Sequence, residues 1–158
     1  TFPDYESFAS ADPSTYFEGL SSGDRDTLTA YTFHSIYLEN LNNGDFKISN
    51  LPPPTQFAPI YGFASGDFDG DGHLDLIAGG NQSNARVSTG KFDANYGLML
   101  FGDGTGQFDV GEAATTGIAL KGDVRDFELV NTVDGPLLMV ARSNDELLTY
   151  RQQTAYNP

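Results

Sequence analysis

One stretch, Asp67–Asp75, constrains this chain more than any other: it reads D-F-D-G-D-G-H-L-D. Asp67, Asp69 and Asp71 alternate, Gly72 follows, and Asp75 closes the run. Carboxylates this close together repel one another unless a cation neutralises them. A hard divalent ion with oxygen ligands does so, and Ca²⁺ is the usual one. The spacing D-x-D-x-D-G is shared with EF-hand loops. On that scheme Asp67, Asp69 and Asp71 give side-chain oxygens, Gly72 makes the sharp turn, and His73 gives its backbone carbonyl, not its imidazole. The scheme then fails, because Ala78 stands where an EF-hand needs a bidentate Glu. The flanks, Gly62-Phe-Ala-Ser-Gly66 and Leu74 to Gly80, have no helical periodicity and read as strands. The expected site is a strand–loop–strand calcium loop built from Asp67, Asp69, Asp71, His73 and Asp75. A solvated acidic turn is the plainer alternative, but turn chemistry alone gives no reason for Asp at four defined offsets.

A second pattern surrounds this loop. Ser35-Ile-Tyr-Leu-Glu-Asn-Leu-Asn-Asn-Gly-Asp-Phe46 reads as a strand, a tight turn and a strand. Gly97-Leu-Met-Leu-Phe-Gly-Asp-Gly-Thr-Gly-Gln-Phe108 repeats the unit, with Phe46 and Phe108 lying 62 residues apart. Repeats of this kind mark stacked units, because one unit cannot bury both of its faces alone. Propeller blades usually span about 40 to 50 residues, so the excess is assigned to an insertion between Asn81 and Asn95. A weaker echo of the loop-bearing hairpin runs from Gly122 to Arg142. Its loop, Asn131-Thr-Val-Asp-Gly135, lacks alternating aspartates and is expected to bind no metal.

The run D-F-D-G-D-G-H-L-D-L-I resembles the D-x-D-x-D-G-x-x-D loop of FG-GAP and VCBS repeats. The resemblance extends over Tyr31 to Tyr150, through Pro59-Ile-Tyr-Gly62, Thr89-Gly-Lys-Phe-Asp-Ala-Asn-Tyr-Gly97, Phe101-Gly-Asp-Gly-Thr-Gly-Gln-Phe108 and Ala141-Arg-Ser-Asn-Asp145. It implies a mainly β fold made of β-propeller blades, as in integrin α-subunit heads and many secreted bacterial proteins. Residues 31–158 would hold two to three blades of a partial propeller, and residues 1–30 a short helical insert. A closed propeller needs about four to eight blades. The implied partners are therefore remaining propeller blades, from the parent chain or another chain, or self-association.

Composition narrows the function. The net charge is −14 with only 8 Lys and Arg, which disfavours nucleic acid and anionic membrane surfaces as partners. There is no Cys, so disulfides, thiol catalysis and zinc–thiolate sites are excluded. No apolar run approaches the roughly 20 residues of a transmembrane segment. The start at Thr1, without Met, reads as a processed or excised piece of a longer chain.

Elsewhere the chain offers little chemistry. Residues 4–8 and 13–18 have N-cap-like starts and read as short helices, with Phe8, Tyr16, Phe17 and Leu20 as a buried stripe and a further helical turn around 24–30. His34 and His73 are the only histidines, and no nucleophile–base constellation accompanies them. Gly102–Gly106 reads as a hairpin turn and not a phosphate loop. In the insertion, Arg86, Asp93 and Tyr96 offer a ligand surface as one reading; the favoured one is that Asp93 and Arg86 only pin the loop. Asn81-Gln-Ser83 is a glycosylation sequon. The expectation is a non-catalytic, calcium-binding propeller segment, secreted, periplasmic or cell-surface, that serves recognition or scaffolding toward a protein or glycan ligand. The alternative is a fragment of a calcium-stabilised propeller enzyme acting on polysaccharide.

Overall fold

The computed structural model describes residues 2–18, 23, 26 and 28–152. Two compact units divide the chain, Thr1–Phe33 and His34–Pro158. In the first, α1 (Tyr5–Ala9) starts at a capping box. The Asp4 carboxylate accepts the Ser7 N–H, and Ser7 returns a contact to the Asp4 backbone. Asp12 caps a 3₁₀ turn at Pro13–Phe17 in the same way, accepting from Ser14. Both short helical elements therefore form where their caps predict. The expected buried stripe does not: Phe8, Tyr16 and Phe17 are all exposed. A helix of five residues makes little more than one turn, and among the described residues of its unit there is no strand to cover it. Instead the Phe8 ring packs T-shaped against Phe2 and Tyr16, which are tilted against each other, and the Tyr16 hydroxyl donates to the Phe8 carbonyl (2.6 Å). Leu20 and most of the turn expected at 24–30 lie outside the described residues, and residues 28–30 are not helical.

The second unit is mainly β. β1 (Ile36–Asn40) and β2 (Phe46–Asn50) form a hairpin whose turn places Asn42 and Gly44 at positive φ. A four-stranded sheet follows in the order β3 (Ile60–Gly66), β4 (Asp75–Gly80), β5 (Leu98–Gly102), β6 (Phe108–Val110). The third sheet contains β7 (Val124–Thr132), β8 (Gly135–Arg142) and β9 (Leu148–Arg151). Every neighbouring pair is antiparallel. This chain-order meander, repeated sheet after sheet, is the layout of propeller blades, and among the described residues no sheet closes into a barrel. A short helix, α2 (Ala113–Thr116), links β6 to the third sheet.

The core lies between the second and third sheets. Ala64, Ile77 and Met99 face Phe127, Leu138 and Val140, with Ile118, Leu120 and Val124 between them. Two glycines allow this approach. A Cβ on Gly62 would stand 3.1 Å from the Asp126 Cα, and one on Gly79 would stand 3.0 Å from the Phe127 ring. The repeats read from the sequence are real structural equivalents. β1–β2 matches β5–β6, and β3–β4 matches β7–β8, each of the latter hairpins carrying a register shift near its start, at Ile60/Gly62 and at Val124/Asp126.

Candidate metal centre

The loop between β3 and β4 is folded by its own carboxylates. Asp67 accepts the N–H groups of Gly70 (2.7 Å) and Gly72 (3.1 Å). Asp69 accepts from Asp71 (3.0 Å), and Asp71 from His73 (2.8 Å). Gly70 and Gly72 sit at φ of 86° and 90°, where a side chain would be strained. The alternation of Asp and Gly thus curls the backbone so that the three carboxylates turn to one side. Oxygens of Asp67, Asp69 and Asp71 lie within 4.8 Å of one another, all on exposed residues. At that spacing each pair of charges costs about 1 kcal/mol even in water. Among the described residues no Lys, Arg or His pairs with any of the three.

Asp75 is placed differently. It is fully buried, and its two oxygens accept the Phe68 N–H (2.7 Å) and the Gly102 N–H (2.9 Å). It thereby ties the start of the loop to the first residue of β4 and to the end of β5. Asp75 is not in the group of three. Each of its oxygens keeps a second lone pair, so its hydrogen bonds leave acceptor capacity. The His73 imidazole leans on Gly104 in the β5–β6 turn, so close that a Cβ there would overlap the ring. The imidazole is therefore engaged by the neighbouring turn and is not among the grouped oxygens. That turn is itself built on Asp103, which accepts the Thr105 N–H and hydroxyl (2.8 Å each). The Thr105 N–H, then its hydroxyl, hold the Asp103 carboxyl below the usual aspartate value. Gly102–Gly106 is thus a hairpin turn, as its sequence reads.

The oxygen-only donor set fits a hard divalent cation. Asp69 and Asp71 each engage a loop N–H through one oxygen, and their second oxygens make no hydrogen bond within the loop. Beside the loop, a cleft of about 910 Å³ opens between the second and third sheets, lined by Asp67, Phe68, Phe101, Leu129, Tyr150 and Arg151 among others.

A polar cluster that sequence reading did not find lies at the insertion. The Asn81 amide donates to the carbonyls of Asn95 (2.6 Å) and Gly122 (3.0 Å) and accepts the Asn95 N–H (2.9 Å). Asp123 accepts the Ser83 N–H and hydroxyl and pairs with Arg125 at 3.1 Å. The Arg125 guanidinium also stacks over Tyr61, 4.4 Å from the ring centre. Burial pushes the Asp123 carboxyl up, but the Ser83 donors and the Arg125 charge outweigh it and hold the group below its ordinary value. These residues pin the insertion. Arg86 and Asp93 were the expected pins, yet both are exposed, and Arg86 closes a local turn through its carbonyl. The sequon asparagine is Asn81, whose amide nitrogen is committed to both carbonyls and whose side chain is buried.

An acidic loop carried between the first two strands of a four-stranded antiparallel meander defines the class: a repeat protein of propeller-blade type. Residues 21–78 match the family model described as FG-GAP-like repeat, and the chain carries such a repeat. The match takes in β1, β2, β3, the acidic loop and most of β4. Comparison with curated proteins and with solved structures gives no significant match.

Proposed function

We propose that this chain is a non-catalytic, calcium-binding β-propeller segment of a secreted, periplasmic or cell-surface protein, of the VCBS-repeat kind, acting in recognition or scaffolding. One observation carries the reading: three exposed carboxylates are gathered within 4.8 Å with no cationic side chain beside them among the described residues. Asp67, Asp69 and Asp71 would hold Ca²⁺ by side-chain oxygens, His73 by its carbonyl, and Asp75 would close the site from β4. The ion's role is structural: it neutralises the loop and fixes its exit into β4. The aromatic cleft beside the loop supports a recognition surface. No helix among the described residues is long and apolar enough to cross a membrane.

Calorimetric titration with CaCl₂ tests the site. One ion per chain is expected, in the weak range on the order of 10⁻⁴ to 10⁻³ M or somewhat tighter. Asp69→Ala and Asp71→Ala should each abolish most of the heat. Titrations unchanged in both variants would remove the assignment.

A further inference from the structure

Asn43 is the only asparagine in the sequence that is followed by glycine. It stands at the tip of the β1–β2 hairpin, between Asn42 at φ 60° and Gly44 at φ 95°, and residues 41–45 are all exposed. The Asn43 carboxamide is folded back over this tip. Its Oδ1 accepts the Asp45 N–H (2.9 Å), and its Nδ2 donates to the Asp45 carboxylate (3.1 Å). The ring closed by the first of these bonds contains both the Asn43 Cγ and the Gly44 nitrogen, which holds the two within one short loop of chain. The Gly44 N–H donates to no group among the described residues. A Cβ built on Gly44 would meet nothing within 4 Å, so the nitrogen is unhindered and water reaches it from the open side.

We infer that Asn43 is a site of self-modification, converted by its own neighbour to aspartate or isoaspartate. The Gly44 nitrogen forms a bond to the Asn43 Cγ and gives its proton to solvent. The Cγ–Nδ2 bond then breaks, the departing nitrogen takes up a proton, and ammonia leaves behind a five-membered imide. Water opens that ring. Cleavage at Cγ restores the main chain with aspartate at position 43, and cleavage at the backbone carbonyl routes the chain through the side chain as isoaspartate. No electrons are gained or lost, and water is the one co-reactant. The Asp45 N–H sits on the oxygen where negative charge collects as the tetrahedral carbon forms, an arrangement that stabilises an oxyanion. Nucleophile and target belong to one chain, so the attack is unimolecular. Other asparagines lack the combination. Asn81 and Asn95 are buried, and exposed Asn84 precedes Ala85, whose Cβ obstructs the nitrogen.

The conversion alters the hairpin. Either product places a carboxylate where the Asn43 amide now donates to Asp45, so a hydrogen bond becomes a like-charge contact. Isoaspartate also adds a methylene to the main chain, between Leu41 and Asp45, whose N–H and carbonyl now bond at 3.1 Å. Turn length sets hairpin register. β1 carries Tyr37, which packs edge-on against Phe108 at 5.6 Å and lies against Gly106 in the β5–β6 turn. Loosening the tip therefore weakens the hold of the first hairpin on the second sheet. The site lies on a different hairpin from the acidic loop and needs no cation.

The test is incubation of the intact chain at neutral pH in heavy-oxygen water, beside a free peptide of residues 40–46, until most of the peptide has converted. Mass-spectrometric mapping should show the exchange of an amide for a hydroxyl, with one heavy oxygen, in the fragment carrying residue 43 before any other. A protease that cuts at aspartate but not at isoaspartate separates the two products. The Leu41 amide should exchange faster in the converted chain, and Asn43→Gln should lose the conversion while keeping the hairpin, its side chain being exposed. Two results would overturn the proposal. In one, Asn43 stays intact in the folded chain after the peptide has converted, meaning that the turn holds the carboxamide out of reach. In the other, the released ammonia maps first to Asn42 or Asn84.

Discussion

The β3–β4 and β7–β8 hairpins are the same object with different ends. Both carry a register shift near the start, and both feed a third strand in the same order. β7–β8 closes through Val133 and Asp134, with Gly135 at φ 100° and the Thr132 hydroxyl donating to the Gly135 carbonyl. β3–β4 spends residues 67–74 on the same connection. Two residues suffice to join these strands, so the extra length and its aspartates serve something other than chain reversal. That contrast supports the proposed cation site more strongly than the acidity of the loop alone.

Removing the central carboxylate of each hairpin should break the likeness most visibly. Asp75→Ala orphans the Phe68 and Gly102 N–H groups and is expected to cost about 3 kcal/mol, read as a lower urea midpoint. Asp134→Ala touches an exposed turn and should stay within about 0.5 kcal/mol. Asn81→Ala comes next, at about 2 kcal/mol, because it frees the insertion from both Asn95 and the residue preceding Asp123. Acid sharpens the comparison further. The Asp123 carboxyl is lowered in the folded chain, so its contribution is present above the ordinary aspartate value and is lost as pH falls through the folded one. An Asp123→Asn variant should therefore lose the part of the acid-induced fall in stability that sets in below about pH 4. Smallest is the exposed pair on β1–β2: Lys47→Ala should change stability by about 0.5 kcal/mol or less.

The strands and hairpins were legible because their signals are local. The Asn-Asn-Gly turn, the glycines flanking the loop and the recurrence of Phe46 at Phe108 all act within a few residues. The aspartate trio was legible for the same reason. Asp75 was read as a loop-closing residue, but its reach to Gly102, 27 residues on, depends on the β4–β5 register, which no spacing announces. The Asn81–Asp123–Arg125 cluster was hidden likewise, since its partners lie about 40 residues apart in sequence. The aromatic stripe of residues 8–17 failed for the opposite reason. Of the expected stripe, Phe8, Tyr16 and Phe17 are exposed, and the short helical elements that carry them have no strand among the described residues of their unit to pack against.

The account turns on whether the longer hairpin end is a cation site. The direct measurement is a thermal melt of the intact chain in EDTA and then in millimolar Ca²⁺, with Mg²⁺ as the control ion. At tenfold excess over Kd the account predicts about 1.4 kcal/mol of stabilisation, an upward shift of several degrees specific to Ca²⁺ and absent from Asp69→Ala and Asp71→Ala. Identical midpoints in EDTA and Ca²⁺ would contradict it and leave the β3–β4 loop an ordinary acidic turn.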